Sequence, residues 1–153
     1  MELRYVCPQY PSADWLEYIG KTGSDRPVVP SEYSHAMGNS NGNLWDQWKA
    51  IYKYPNLQGG YIWDWVDQGI AERDQRQATA IGAYGGDYGT DMPSDGNFCC
   101  NGIVGPDRTP HPAMAEVKYA HQNVSFEEMD ANKGRYRIMN RFYFTNSTNT
   151  REL

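Results

Sequence analysis

Two short apolar runs, with one amphipathic stretch between them, constrain this chain more than any other feature. Pro27, Val28, Val29 and Pro30 are β-branched or proline-restricted, which predicts a brief buried strand ending at Ser31 and Glu32. Leu44, Trp45, Trp48, Ile51 and Tyr52 recur at spacings of one, three and four, the signature of one helix face, and Pro55 stops the pattern. Gly59 and Gly60 then precede Tyr61, Ile62, Trp63, Asp64, Trp65 and Val66, an aromatic and β-branched run typical of a buried strand. Strand, helix, strand is the unit of a parallel sheet, whose crossover helix covers one face and whose strand carboxyl ends share one rim. Functional groups of such folds gather on that rim.

Around this unit, Ser12 is placed to cap a helix through Trp15, Leu16 and Ile19, closed by the glycines at 20 and 23. Residues 71–105 show no period and many Gly, Asp and Asn, so a long rim loop is expected there. Thr109 and Pro110 read as the cap and first turn of a helix carrying Met114, Val117, and Ala120 or His121 on its apolar stripe. Past Asn123 the pattern turns to alternation. Val124 and Phe126, then Tyr136, Ile138, Phe142 and Phe144, flank a turn at residues 131–134 and predict a β hairpin of a second domain. The tail at 146–153 is featureless, and only two strands of the first sheet are legible, so both ends look cut.

The formal charge of −5, with no Lys or Arg run, argues against a nucleic-acid partner. No stretch reaches the ~18 apolar residues of a membrane span, and the first residues lack signal-peptide order. Cys7, Cys99 and Cys100 include no C-x-x-C spacing and are expected to be free thiols. Asp64, Asp67, Asp87 and Asp95 match no calcium loop and read as caps and loop acceptors.

Taken alone, Glu32 is a carboxylate at a strand end, and such groups are more often solvated than catalytic. The longer strings say more. EYSHAMGNSNG at 32–42, NLQGGYIWDWVDQGI at 56–70, AYGGDYG at 83–89, SDGNFCCNGIV at 94–104 and DRTPHPAMAEVK at 107–118 together resemble the β-galactosidases of glycoside hydrolase family two. The resemblance implies an α/β fold. Residues 1–122 would be the C-terminal portion of a TIM (β/α)8 barrel, with strand seven ending at Glu32, strand eight containing Trp63, and a last helix over 109–122. Residues 123–153 would open a β-sandwich domain with a β hairpin.

By the same resemblance Glu32 is the nucleophile, His35 hydrogen-bonds galactose hydroxyls, and Trp63 packs on the sugar. The Phe98 backbone carbonyl and the Asn101 side chain resemble ligands of a sodium ion beside the galactose 6-hydroxyl. Sequence alone leaves open whether Trp63 or Trp65 faces sugar. Without the resemblance, His35 could be a turn-bracing group, Asn101 a loop amide and Phe98 a packing ring. The acid partner of Glu32 and the family's magnesium ligands are expected outside these residues. The implied parent hydrolyses galactosides, forms a homo-oligomer and resides in the cytoplasm, or alternatively the periplasm. Rival readings are a catalytically inactive, complementing piece, a carbohydrate-binding module, and a β-glucuronidase. The last lacks the His-Ala-Met-Gly-Asn run that follows Glu32 here.

Overall fold

The computed structural model describes residues 4–73 and 80–146. Ser12 caps α1 (Ala13–Thr22), its side chain accepting the Trp15 N–H, and Gly23 closes it at a φ of 87°. The second helix, α2 (Leu44–Lys53), follows the expected apolar face, with Leu44, Ala50 and Ile51 buried.

The expected parallel pairing is present as isolated bridges, and it is wider than two strands. Val28 lies between Val6 and Leu57, Gln9 pairs with Glu32, and Tyr33 pairs with Ile62, all in parallel. Residues 6–10 therefore form a third extended segment that the sequence reading overlooked. It was hidden because Pro8 and the polar Gln9 interrupt the apolar alternation that marks a strand. A fourth segment joins beyond Trp63, where Val66 pairs in parallel with Val104.

The helices cover one face of these segments. Leu16 of α1 and Ala50 and Ile51 of α2 pack with Val28 and Leu57 in one buried cluster. Tyr33, Ala36, Leu44, Ile103, Val117 and Ala120 form the other, and Trp48 borders both.

Two expectations need correction. The third helix, α3 (Met114–Ala120), begins after Ala113 rather than at Pro110. Thr109 is no helix cap because Asp107 takes both its N–H and its hydroxyl, at 2.9 and 2.8 Å, and Pro110 bridges to Val104. The apolar stripe itself holds, with Val117 and Ala120 buried. The supposed loop at 71–105 contains an antiparallel pair, β1 (Ile70–Arg73) and β2 (Ala80–Ala83), and a 3-10 turn at Gly85–Tyr88. Strands of four residues with Gly82 facing Ala71 are too short and too small in side chain to show a period. The rest of that loop's tip and the tail beyond Asn146 lie outside the described residues.

The hairpin at the end is as expected in outline: β3 (Val124–Asp130) and β4 (Arg135–Asn140) pair antiparallel, and Gly134 supplies the left-handed residue of the turn. Phe142 and Phe144 fall beyond β4 rather than within it.

Gly20 shows how tightly α1 meets α2. A Cβ there would run into the Tyr54 ring and its Cβ, and the ring is held by its hydroxyl bond to Glu17 at 2.6 Å. Alanine gains ~1 kcal/mol of helix propensity over glycine, but overpacking costs ~1 to 3 kcal/mol. Gly20→Ala is therefore expected to lower stability, read as a lower urea midpoint at unchanged slope.

Candidate active site

The orientation of Glu32 follows from its neighbour. Tyr33 is fully buried on the helix side, and side chains alternate along extended backbone, so Glu32 leaves on the opposite face. There its carboxylate accepts a 2.7 Å hydrogen bond from the Tyr10 hydroxyl, and the two backbones are tied by the Tyr10 N–H to the Glu32 carbonyl at 2.8 Å. The Tyr10 bond, then one from the Gln9 side chain, hold the Glu32 carboxyl below its ordinary range, against the opposing effect of desolvation. Burial and the adjacent carboxylate push the Tyr10 phenol well above its usual value. At neutral pH the arrangement is an ionised carboxylate with a neutral phenol donor.

After Tyr33 the chain turns at Ser34, whose φ is 55°. The turn sets the His35 ring between two others, with centroids 5.7 Å from Tyr10 and 5.7 Å from Phe98. His35 Nδ1 accepts the Met37 N–H at 3.3 Å, which leaves Nε2 as the N–H donor of a neutral imidazole. The Gly/Asn turn that follows braces this corner: Ser40 Oγ donates to the carbonyls of His35 and Met37, and Asn41 Nδ2 to that of Ser34.

Trp63 is locked by its backbone, N–H to the Tyr33 carbonyl and carbonyl to the Ala36 N–H, at 3.1 and 2.9 Å. It lines a hollow of about 530 Å³ together with Glu32, Ser31, Asp64 and Trp65. Both indoles thus border the space that Glu32 borders, and Trp65 is the more exposed.

Asn101 is buried and sits against the end of the same segment. Its carbonyl accepts the Asp64 N–H at 2.6 Å, and its Nδ2 donates to Gln68 Oε1 at 2.9 Å. Its Oδ1 is buried with no hydrogen-bond partner. Leaving an acceptor so costs ~1 to 3 kcal/mol, and a free amide oxygen of this kind suits a hard cation. Phe98 reaches the site through its ring, against His35. No cluster of three or more His, Cys, Asp or Glu suited to a metal ion occurs among the described residues.

Tyr10 thus joins Glu32 and His35, Phe98 meets the group through His35, Trp63 shares the hollow with Glu32, and the Asn101 carbonyl is tied to the residue after Trp63. Tyr10 is the residue sequence reasoning missed. The signal was available, a tyrosine ending an extended segment opposite Glu32, but it needed the third segment to be seen. Gln68 and His111, which help to hold the Asn101 loop, were also missed. Of the four aspartates, Asp64, Asp67 and Asp87 do accept backbone N–H groups as expected.

Residues 5–126 match the model of glycosyl hydrolases family 2, TIM barrel domain. The chain belongs to that family. It is 46% identical over 143 residues to a β-galactosidase of Klebsiella pneumoniae, covering 93% of this chain and 14% of that one. It is 47% identical over 125 residues to a β-galactosidase of Pseudoalteromonas haloplanktis, covering 82% and 12%. The chain therefore spans about one seventh of the length of the curated relatives it matches. A solved β-galacturonidase from Eisenbergiella tayi aligns with 76% of this chain and 22% of its own, at 18% identity and a TM-score of 0.41, a likeness from which nothing further follows. The parallel pairing of the extended segments accords with a TIM barrel domain. No helix among the described residues is long and apolar enough to cross a membrane.

The Tyr10 bond gives a direct test of the site's electrostatics. Because the Glu32 carboxyl is depressed, the stability it lends is present above the ordinary glutamate pKa and is lost as pH falls through its lowered value. Tyr10→Phe is expected to raise the Glu32 pKa towards the ordinary glutamate value and to move the acid limb of unfolding to higher pH. A carboxyl NMR titration checks this, and an unmoved Glu32 would contradict the assignment of the phenol as its main partner.

Proposed function

We propose that this segment supplies the nucleophile and part of the galactose site of a retaining β-galactosidase, acting on terminal β-D-galactosides through a covalent galactosyl-enzyme. The observation that carries it is the ionised Glu32, held by Tyr10 on the rim beside His35 within a family 2 barrel domain. A nucleophilic carboxylate must be charged and aimed before sugar arrives. The phenol meets both needs: its bond stabilises the charged form and fixes one carboxylate oxygen.

In this reading His35 Nε2–H donates to a sugar hydroxyl, and the Trp63 indole covers the apolar C–H face of the ring. Asn101 Oδ1, with the Phe98 carbonyl, would hold a sodium ion that neutralises and orients oxygens near the 6-hydroxyl; the partnerless Oδ1 is what favours it. A retaining mechanism needs a second carboxyl group ~5 to 5.5 Å from the first to protonate the leaving oxygen. That acid, like the magnesium ligands, belongs to other parts of the parent enzyme, as does the homo-oligomeric assembly. Residues 123–146 begin its β-sandwich domain.

The short share of each relative that the chain spans favours a second reading for the isolated polypeptide. With one carboxylate of the pair it binds sugar weakly and complements missing barrel strands, without turnover. Among the described residues the segment at 6–10 pairs only with 27–32, so backbone groups on its other side remain for an added strand.

In a full-length enzyme containing this segment, a 2-fluoro galactoside that traps the intermediate is expected to label Glu32, as read by peptide mass. Glu32→Gln is expected to lower kcat on the order of 10⁴-fold or more. Labelling at another carboxylate, or near-normal turnover of the variant, would overturn the assignment. Steady galactoside hydrolysis by the purified 153-residue chain would overturn the reading of the isolated piece.

A further inference from the structure

The two ends of the Asn101 amide are nearly equal in size, but only the oxygen can serve a hard cation. Which end is left free is decided by a ring of hydrogen bonds through Asp64 and Gln68. Gln68 Oε1 accepts from the Asn101 backbone N–H at 3.3 Å and from its Nδ2 at 2.9 Å. Gln68 Nε2 donates to Asp64 Oδ2 at 2.9 Å. Asp64 Oδ1 takes the Trp65 N–H at 2.5 Å, and the Asp64 N–H returns to the Asn101 carbonyl at 2.6 Å, which closes the ring.

The polarity of that ring has one solution. A carboxylate accepts and a backbone N–H donates, and neither can exchange its role by turning over. Gln68 lies between one of each, so its nitrogen faces Asp64 and its oxygen faces Asn101. That oxygen claims the Asn101 Nδ2 as well. The Asn101 Oδ1 is thereby left as the free end, without a hydrogen-bond partner in a residue only 2% exposed.

We propose that Asp64 and Gln68 are positioning residues, which hold the Asn101 amide with its oxygen rather than its nitrogen presented to a sodium ion. The inference rests on the sodium reading of Asn101 given under the proposed function. Both residues act through Asn101, and partners that orient a metal ligand in this way are commonly worth ~10 to 100-fold in metal affinity.

Two exchanges separate orientation from charge. Gln68→Leu keeps every charge but removes the acceptor, so the Asn101 amide is free to turn. In Asp64→Asn the new amide spends its oxygen on the Trp65 N–H and meets the Gln68 nitrogen with a nitrogen of its own; Gln68 turns over, and Asn101 with it. Adding Gln68→Glu to Asp64→Asn reverses the middle bond. The amide at 64 then donates, the carboxylate at 68 accepts on both sides, and Asn101 is held as in the native chain at the native net charge.

The test is a sodium NMR titration of a full-length enzyme containing this segment, with sodium chloride added against tetramethylammonium chloride at constant ionic strength. Asn101→Ala gives the baseline for sodium bound elsewhere. Sodium affinity is expected to fall ~10 to 100-fold in Gln68→Leu and in Asp64→Asn, and to be restored in the double variant. Native affinity in Gln68→Leu, or a double variant no tighter than Asp64→Asn, would overturn the proposal and leave the sodium reading standing. A native enzyme indistinguishable from Asn101→Ala would overturn the sodium reading and this inference with it. Restoration by the double variant needs a folded protein, so loss through unfolding cannot imitate the expected result.

Discussion

Tyr33 joins the extended segments to the helices, and the geometry of the rim depends on it. Its N–H and carbonyl pair with Tyr61 and Trp63 at 2.9 and 3.1 Å, which fixes the register between the two segments. Its hydroxyl accepts the Trp48 Nε1–H of α2 at 3.0 Å and lies 3.4 Å from His121 Nε2 beyond α3. Burial pushes this phenol up to about 12 and draws His121 below its usual value, so both stay neutral where a charge would be costly. With Tyr33 committed to the helix side, the period of two leaves Glu32 one direction, towards Tyr10. A slip of one residue would bury the carboxylate among Leu44, Ile103 and Val117.

A second device holds the loop that carries Phe98 and Asn101. Gly102 lies so close to residues 66 and 67 that any Cβ would run into their backbone. Its N–H donates to the buried Asp67 carboxylate at 2.7 Å, and its carbonyl accepts from His111 Nδ1 at 3.0 Å. His111 Nε2 is also 3.4 Å from Asp67. One glycine is thus gripped at both of its backbone polar groups by two side chains from different parts of the chain. Asn101, the residue before it, has no freedom to turn its orphan oxygen towards solvent. The unpartnered acceptor sits in a loop whose next residue is held at both backbone groups.

How much of this could be read from residues alone varied with the physical signal. The helices α1 and α2 and the hairpin were legible because capping, a 3.6-residue stripe and a left-handed turn glycine are local properties. Glu32, His35, Trp63 and Asn101 were singled out only through the length of the motif strings, since nothing in their local pattern separates them from ordinary surface or core residues. Tyr10 was not found, because its role exists only through a partner 22 residues away. The start of α3 was misplaced for a related reason: Thr109 and Pro110 have the right local chemistry, but Asp107 takes the threonine and a tertiary bridge to Val104 takes the proline. Where a residue's partner is distant, propensity loses to packing.

The hairpin sets a limit on what alternation can tell. Phe126 and Ile138 pair across β3 and β4, yet they are 68% and 67% exposed. Fully burying such side chains is worth ~1.5 to 3 kcal/mol each, and here that gain is not realised. What ties the hairpin down is one arginine. Arg141 donates its backbone N–H to the Asn123 carbonyl and its Nε to Ser125 Oγ, both at 2.8 Å, and lays its guanidinium 3.9 Å from the centre of the Tyr52 ring. Tyr52 in turn donates its hydroxyl to the Ala120 carbonyl at 2.7 Å, so α2, α3 and the base of the hairpin meet at one polar and aromatic junction. A cation over a ring contributes ~0.5 to 2 kcal/mol, less than the two uncovered apolar side chains could supply. The hairpin is therefore positioned by its base, and its apolar faces stay uncovered among the described residues.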